Sequence, residues 1–157
     1  MNTEIVKADI KDLNSILDIL NSATKKLLSK NIPQWDYPWN TAEVACFIQK
    51  NEFYKVQSNG IDAGCFGLKP FENNPFADDK NGLYLYHLAV HPQHSATGLS
   101  RKICRWIQQY AKNNGVTVYF DCWAGNDFLK KFYTENGFEY IGDFPEEDYF
   151  VSAFKSR

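Results

Sequence analysis

The chain contains no apolar run approaching the roughly 20 residues a membrane-spanning helix needs, so no transmembrane anchor is expected. It also lacks the basic start and apolar stretch of a signal peptide. It opens Met1-Asn2-Thr3-Glu4, and a cytoplasmic location is the expectation. A large excess of charge of either sign is missing. The 17 basic residues stand against 19 acidic ones, a formal net charge of −2, which offers no electrostatic attraction to nucleic acid or to an anionic membrane. Cysteine is sparse: Cys46, Cys65, Cys104 and Cys122 are scattered without a C-x-x-C pair, which fits reduced thiols better than a disulfide frame. Internal repeats, low-complexity tracts and linkers are absent. So are a G-x-S-x-G elbow and a P-loop.

What the chain does have is apolar mass. Of 157 residues, 44% are hydrophobic and 16% aromatic, which excludes a disordered chain and supports one domain over 1–157 with a substantial core. Thr3 to Lys7 reads as a strand. Ile10, Leu13, Ile16, Leu17, Leu20, Leu27 and Leu28 then recur at helical spacing behind Asp9 as N-cap. The proline-rich stretch 31–39 ends that helix. Asn40, with Glu43 three residues on, opens another to about Lys50. Glu52 to Gln57 and Ile61 to Lys69 read as a hairpin turning at Asn59-Gly60, and 70–82 as a polar loop. An apolar strand over 83–90 precedes a helix whose inner side is Leu99, Ile103, Trp106, Ile107 and Tyr110. Gly115 caps its end. A buried strand over 116–123, a helix from Asn126 to Asn136, and a final hairpin (138–144, 149–154) around Pro145 to Asp148 complete the chain. The order is β-α-α-β-β-β-α-β-α-β-β, an α/β fold with a mixed sheet and helices on its faces.

The richest segment is 83–138. A strand ending at Leu88-Ala89-Val90 leads through His91-Pro92 into Ser95-Ala96-Thr97-Gly98-Leu99-Ser100, small residues at a helix start. The first helical turn has unpaired N–H donors and the positive end of the helix dipole, so this arrangement suits a phosphate-bearing ligand. His87 and His91 have i, i+4 spacing but lie on strand and loop, so no metal site is expected. Cys122 has no neighbour in sequence that would activate it as a nucleophile.

The order of elements, with these motifs, resembles the GCN5-related N-acetyltransferase (GNAT) family, whose members acetylate amines with acetyl-CoA. Leu88-Ala89-Val90-His91-Pro92 matches the family's "LAV-x-P" strand end. Ser95 to Ser100 aligns with its Arg/Gln-x-x-Gly-x-Gly/Ala loop. Asn126, Phe132, Tyr133, Gly137 and Phe138 hold the spacing of its Asn-x-x-Ala-x-x-Leu-Tyr-x-x-x-Gly-Phe element, with Leu129 where alanine is frequent. The loop departs from the pattern. Ser95 replaces Arg/Gln, Ala96 a frequent glycine and Ser100 the final Gly/Ala, so only Gly98 is retained. Backbone N–H groups survive these changes, and two hydroxyls are expected to add donors.

The resemblance implies a GNAT-like fold and the reaction partners acetyl-CoA and a primary amine of a small molecule or peptide, with direct attack in a ternary complex and no metal. It places the diphosphate on the N–H groups of Ala96, Thr97, Gly98, Leu99 and Ser100, with Ser95 beside them. The pantetheine arm runs along Leu88, Ala89 and Val90, and Asn126 hydrogen-bonds it. Tyr133 is implied as the general acid that protonates the departing thiolate. The base is left open. Relatives carry Glu or His at positions corresponding to Tyr84 or Tyr86, and two phenols are poor bases at neutral pH; the pair is expected instead to shape an aromatic acceptor pocket, with a water chain as one route for deprotonating the amine. Asp121 is one candidate. His87 is another, although strand alternation puts it on the face opposite Tyr84 and Tyr86. For the acceptor, Trp35 beside Asp36 offers an aromatic-plus-carboxylate corner suited to a cationic amine, while Trp39 reads as core. Pro145 to Asp148 reads as a solvated turn. A non-catalytic CoA-binding module is the alternative to an enzyme. The aromatic-rich last strands leave a homodimer open.

Overall fold

The structure, a computed structural model, describes residues 2–157. Eleven principal elements follow the expected order: β1 (Thr3–Lys7), α1 (Leu13–Ser29), α2 (Thr41–Gln49), β2 (Phe53–Ser58), β3 (Ile61–Pro70), β4 (Leu83–Val90), α3 (Leu99–Asn114), β5 (Val118–Trp123), α4 (Asp127–Glu135), β6 (Glu139–Glu146) and β7 (Tyr149–Lys155). Two short 3-10 turns, Ile10–Asp12 and Pro92–His94, precede α1 and α3. The strands form a seven-stranded mixed sheet in the order β1-β2-β3-β4-β5-β7-β6. β4 and β5 run parallel, pairing Leu83 with Val118 and Tyr84 with Tyr119. The hairpin strand β7 is inserted between β5 and β6, antiparallel to both.

The chain divides into two compact units, each made of two stretches. One comprises residues up to Leu68 together with Tyr86–Ser100, the other Lys69–Leu85 with Arg101–Arg157. In the first, Ile16, Ile19 and Leu20 of α1 are buried at i, i+3, i+4 spacing, as are Val44 and Ile48 of α2 at i, i+4. Phe53, Val56, Ala63, Cys65 and Phe66 are fully buried side chains of β2 and β3. Two residues of the expected apolar stripe fall outside it: Ile10 and Leu28 are exposed. For Ile10 the reason lies at the helix start. Asp9 caps the 3-10 turn rather than the helix, its carboxylate accepting from the Lys11 N–H, while Asp12 accepts from the Asp9 N–H. That turn takes Ile10 off the helical face. Asn40 caps α2 as expected, its Oδ1 accepting from the Glu43 N–H at 2.9 Å. Asn59 and Gly60 take φ of 52° and 80°, the left-handed pair a two-residue hairpin turn needs.

In the second unit Phe120 is the hub. Its ring stacks on Phe154 at 5.5 Å and meets Phe138 edge-on at 4.8 Å. Ile103, Ile107 and Ala111 bury one face of α3. Burying each such phenyl ring contributes roughly 1.5–3 kcal/mol. The last hairpin is tighter than expected. Pro145 and Glu146 belong to β6, and the turn is Glu147-Asp148 with Glu147 at φ 48°. Proline is tolerated there because β6 is an edge strand with one side unpaired. β5 also starts later than expected, at Val118. All four cysteines are free thiols, with Cys65, Cys104 and Cys122 buried and Cys46 exposed.

Candidate active site

The first unit holds the strand end and the loop 95–100 singled out in the sequence. Within β4 the backbone of His87 turns to φ 52°, a left-handed conformation that costs a non-glycine residue energy and interrupts side-chain alternation. This corrects the expectation that His87 faces away from Tyr86: their rings lie 5.0 Å apart. The imidazole sits among Trp39 at 4.7 Å, Phe47 at 5.1 Å and Trp35 at 6.2 Å. Trp39 is tied inward by its indole N–H, which donates to the Thr24 hydroxyl at 2.9 Å. Asp36 is exposed. Tyr86 is buried and donates its hydroxyl proton to Glu52 at 2.6 Å. Burial, with the Glu52 carboxylate beside it, raises the Tyr86 phenol well above its ordinary range, so it keeps its proton.

The Tyr86 ring lies directly over Gly67, where a Cβ would come within 2.3 Å of ring carbon. Gly67→Ala is therefore expected to displace the ring and strain its bond to Glu52, costing about 1–3 kcal/mol as overpacking does. Thermal denaturation of the variant checks this.

Beyond Val90 the chain enters the Pro92–His94 turn. His91 Nδ1 accepts from the Gln93 N–H at 3.2 Å, and Nε2 faces the Asp18 carboxylate at 3.2 Å. The Ser95 hydroxyl donates to the Pro92 carbonyl at 2.9 Å, and that of Thr97 to the His94 carbonyl at 2.7 Å. Ser95 and Thr97 thus spend their hydroxyl protons on the loop's own backbone, and Ser95 adds no donor of the kind expected. Gly98 takes φ 77°, a conformation that favours glycine, and delivers the chain into the sixteen-residue α3. Residues 95–98 are exposed, Ser100 is half-buried and Leu99 is 1% exposed. Leu99 can therefore offer a ligand only its backbone. Ala89 is buried, with Leu88 and Val90 half-buried.

The second unit holds the other named residues. The Tyr84 hydroxyl donates to Asp121 Oδ1 at 3.0 Å across the β4–β5 pairing. Burial pushes the Asp121 carboxyl up to about 6; the Tyr84 bond opposes that rise, and the nearby Glu146 charge adds to it. Burial likewise holds the Tyr84 phenol far above its usual range, reinforced by Asp121. The rings of Phe71 and Phe76 lie 5.3 and 6.5 Å from that of Tyr84, and Phe76 meets Phe144 at 5.2 Å. Asn126, 3% exposed, caps α4 by accepting from the Leu129 N–H at 3.1 Å. Its Oδ1 is thus committed to the helix start, and its NH2 is the group with donors to offer. Tyr133 is 8% exposed on the buried side of α4, its ring 4.6 Å from Phe120 and 5.7 Å from Phe154. Burial pushes its phenol strongly upward.

Of the residues singled out in the sequence, Leu88, Ala89, Val90, Ser95 to Ser100, Trp35 and Tyr86 fall in the first unit. Tyr84, Asp121, Asn126 and Tyr133 fall in the second. Directly bonded among them are Tyr84 and Asp121. Sequence reasoning missed Glu52, whose partner is 34 positions away, and Lys26, whose Nζ lies 3.3 Å from the Ser95 hydroxyl across 69 positions. No local pattern marks either contact. Among the described residues, no group of three or more His, Cys, Asp or Glu side chains is placed to hold a metal ion. No helix among them is long and apolar enough to cross a membrane.

The family model of the Acetyltransferase (GNAT) family matches residues 20–138, three-quarters of the chain. The chain belongs to that family. Over 95 residues it is 25% identical to a Mus musculus protein described as probable N-acetyltransferase family 8 member 5, a match covering 60% of this chain and 41% of the mouse protein. The chain thus spans less than half the length of that curated relative. Its fold is shared with a GNAT-family acetyltransferase from Listeria monocytogenes, at TM-score 0.78, 19% identity, and coverage of 98% of this chain and 94% of the other. It is shared equally with the PaiA N-acetyltransferase of Thermoplasma acidophilum in complex with coenzyme A, at TM-score 0.74, 16% identity and 98% coverage of both chains.

Proposed function

We propose that residues 1–157 work as one N-acetyltransferase domain, moving the acetyl group of acetyl-CoA to a primary amine of a small molecule or peptide in the cytoplasm. The observation that carries this reading is the loop at the start of α3. Exposed residues 95–98 follow a tight turn, and Gly98 at φ 77° precedes a long helix. The hydroxyls of Ser95 and Thr97 fold inward, and their backbone N–H groups donate to the Pro92 and His94 carbonyls at 3.2 and 3.3 Å, which leaves the N–H groups of Ala96, Gly98, Leu99 and Ser100 as the loop's offering to an anion. A diphosphate carrier fits that offering, and the coenzyme A bound by the Thermoplasma relative supports the choice of carrier.

In the proposed reaction the amine nitrogen bonds to the thioester carbon, the carbon–sulfur bond breaks, and the thiolate takes a proton. The thioester arm lies along Leu88, Ala89 and Val90, where a backbone N–H stabilises the developing oxyanion. Asn126 contributes its amide NH2 to the arm. Tyr133 supplies the proton to sulfur. Asp121 is the proton acceptor for the amine. Tyr84 and Tyr86 keep their protons at working pH, which removes them as bases, whereas a carboxyl near 6 is poised close to neutrality. Trp35, Tyr84 and Tyr86 contribute to holding the acceptor.

Isothermal titration with acetyl-CoA and CoA, followed by thiol release against a panel of amines, tests the proposal. Binding together with amine-dependent thiol release is the expected result. Binding without turnover across a broad panel points instead to a non-catalytic CoA-binding module, and absence of binding to both carriers defeats the reading.

A further inference from the structure

We infer that Lys26 supplies the cationic contact to the carrier's phosphates that residue 95 does not provide; the inference rests on the acetyl-CoA reading above. Serine at 95 is too short to reach a ligand as a long polar side chain would, and its one proton is donated to the Pro92 carbonyl at 2.9 Å. Its oxygen instead accepts from Lys26 Nζ at 3.3 Å. That contact places an ammonium group, with further N–H donors, against the outer surface of the phosphate-type loop.

The placement has a structural cause. Asp18, Ser22 and Lys26 recur at i, i+4 along α1, so they share one face of that helix. The Ser22 hydroxyl donates to Asp18 at 3.3 Å, and Asp18 faces His91 Nε2 at 3.2 Å. The same face of α1 therefore meets the chain at both ends of the Pro92–His94 turn: a carboxylate on its first flank and an ammonium on its second. His91 is fixed from the other side too, because its Nδ1 accepts from the Gln93 N–H. The stretch from 91 to 95 is thus held at a set position along α1, and Lys26 is the charge brought beside the loop. Sited in the last turn of α1, Lys26 is also favoured there by the negative end of the helix dipole. Its charge is screened by solvent, and its worth to a bound diphosphate is that of one exposed charge-assisted contact.

Lys26→Met, Lys26→Arg and the double variant Lys26→Met/Ser95→Arg test the inference. The readouts are titration calorimetry with CoA, steady-state kinetics with acetyl-CoA, and kinetics with S-acetylpantetheine, which keeps the thioester arm and lacks every phosphate. In Lys26→Met, the CoA dissociation constant and the KM for acetyl-CoA are expected to rise about five- to tenfold, with kcat unchanged. The dependence of CoA affinity on salt is expected to flatten. Use of S-acetylpantetheine is expected to stay the same. Lys26→Arg retains affinity, and Ser95→Arg restores it in the double variant. An unchanged CoA affinity in Lys26→Met overturns the inference while leaving the acetyltransferase reading standing. An equal loss with S-acetylpantetheine overturns it as well, since the effect is then not on phosphate. Failure of the unsubstituted protein to bind CoA at all defeats the underlying reading, and the inference with it.

Discussion

Tyr133→Phe is expected to lower kcat by about a hundredfold or more, the range in which loss of a positioned acid or base falls, while leaving the CoA dissociation constant within about twofold of its original value. The ring environment makes this a clean experiment. Phenylalanine fills the space among Phe120, Phe138 and Phe154, which surround Tyr133 at 4.6, 6.1 and 5.7 Å, so only the hydroxyl is removed. Burial raises that phenol and keeps the hydroxyl protonated near neutral pH, the state the proposed general acid requires. A phenol held so high is a weaker acid than a thiol in water, whose pKa is about 8.5. In a water-excluded site the thiolate suffers the same desolvation, so its hold on a proton rises too, and the difference narrows. In the proposed mechanism the hydroxyl's contribution is then a hydrogen bond that strengthens as charge grows on sulfur, followed by proton transfer as the carbon–sulfur bond opens. Single-turnover thiol release measures the step directly. Turnover equal to that of the unsubstituted protein removes Tyr133 from the mechanism.

Much of the fold was legible because its signals are local. A continuous apolar run located β4, period-3.6 patterning located α3, and Asn59-Gly60 announced a hairpin turn that the backbone confirms. The Asn40 cap needed only a glance three residues ahead. What sequence could not show depends on single torsions or on distant pairs. Histidine at 87 does not by itself announce a positive φ, which is uncommon for any non-glycine residue; yet that torsion interrupts the alternation from which the side of the imidazole is read. The bond from Tyr84 to Asp121 joins residues 37 positions apart, and its chemistry exists only because two strands lie side by side. The Ser95 hydroxyl shows the reverse case. Its identity suggests a donor for a ligand, but the 3-10 turn brings the Pro92 carbonyl within 2.9 Å and claims it first. Local chemistry yields to whichever acceptor the backbone presents.

Asp121→Asn is expected to lower kcat/KM by about a hundredfold at pH 7 and to abolish an acid limb centred near pH 6. The sign follows from the carboxyl's raised position. A base must be deprotonated to act, so in the unsubstituted protein the rate falls as pH drops through about 6. The groups facing Asp121 are the Tyr84 hydroxyl from β4, Tyr133 from α4, Glu146 from β6, Tyr149 from β7 and its own neighbour Cys122. The three phenols and the thiol are held above their ordinary values, so none of the four titrates in this window. Glu146 raises Asp121 by repulsion, and Glu146→Gln is accordingly expected to move the acid limb to lower pH without removing it. Stability runs opposite to activity. A carboxyl at about 6 in the folded chain against 3.8 in an ordinary setting binds its proton more tightly when folded. Its contribution is therefore fully present below pH 3.8, declines as pH rises, and is gone above about 6. Asparagine carries no charge, and its amide oxygen can still accept from Tyr84. The variant's melting temperature at pH 8 is thus expected to match or exceed that of the unsubstituted protein, so a loss of rate cannot be blamed on unfolding. A pH–rate profile for Asp121→Asn that keeps the same limb transfers the role of base to another group.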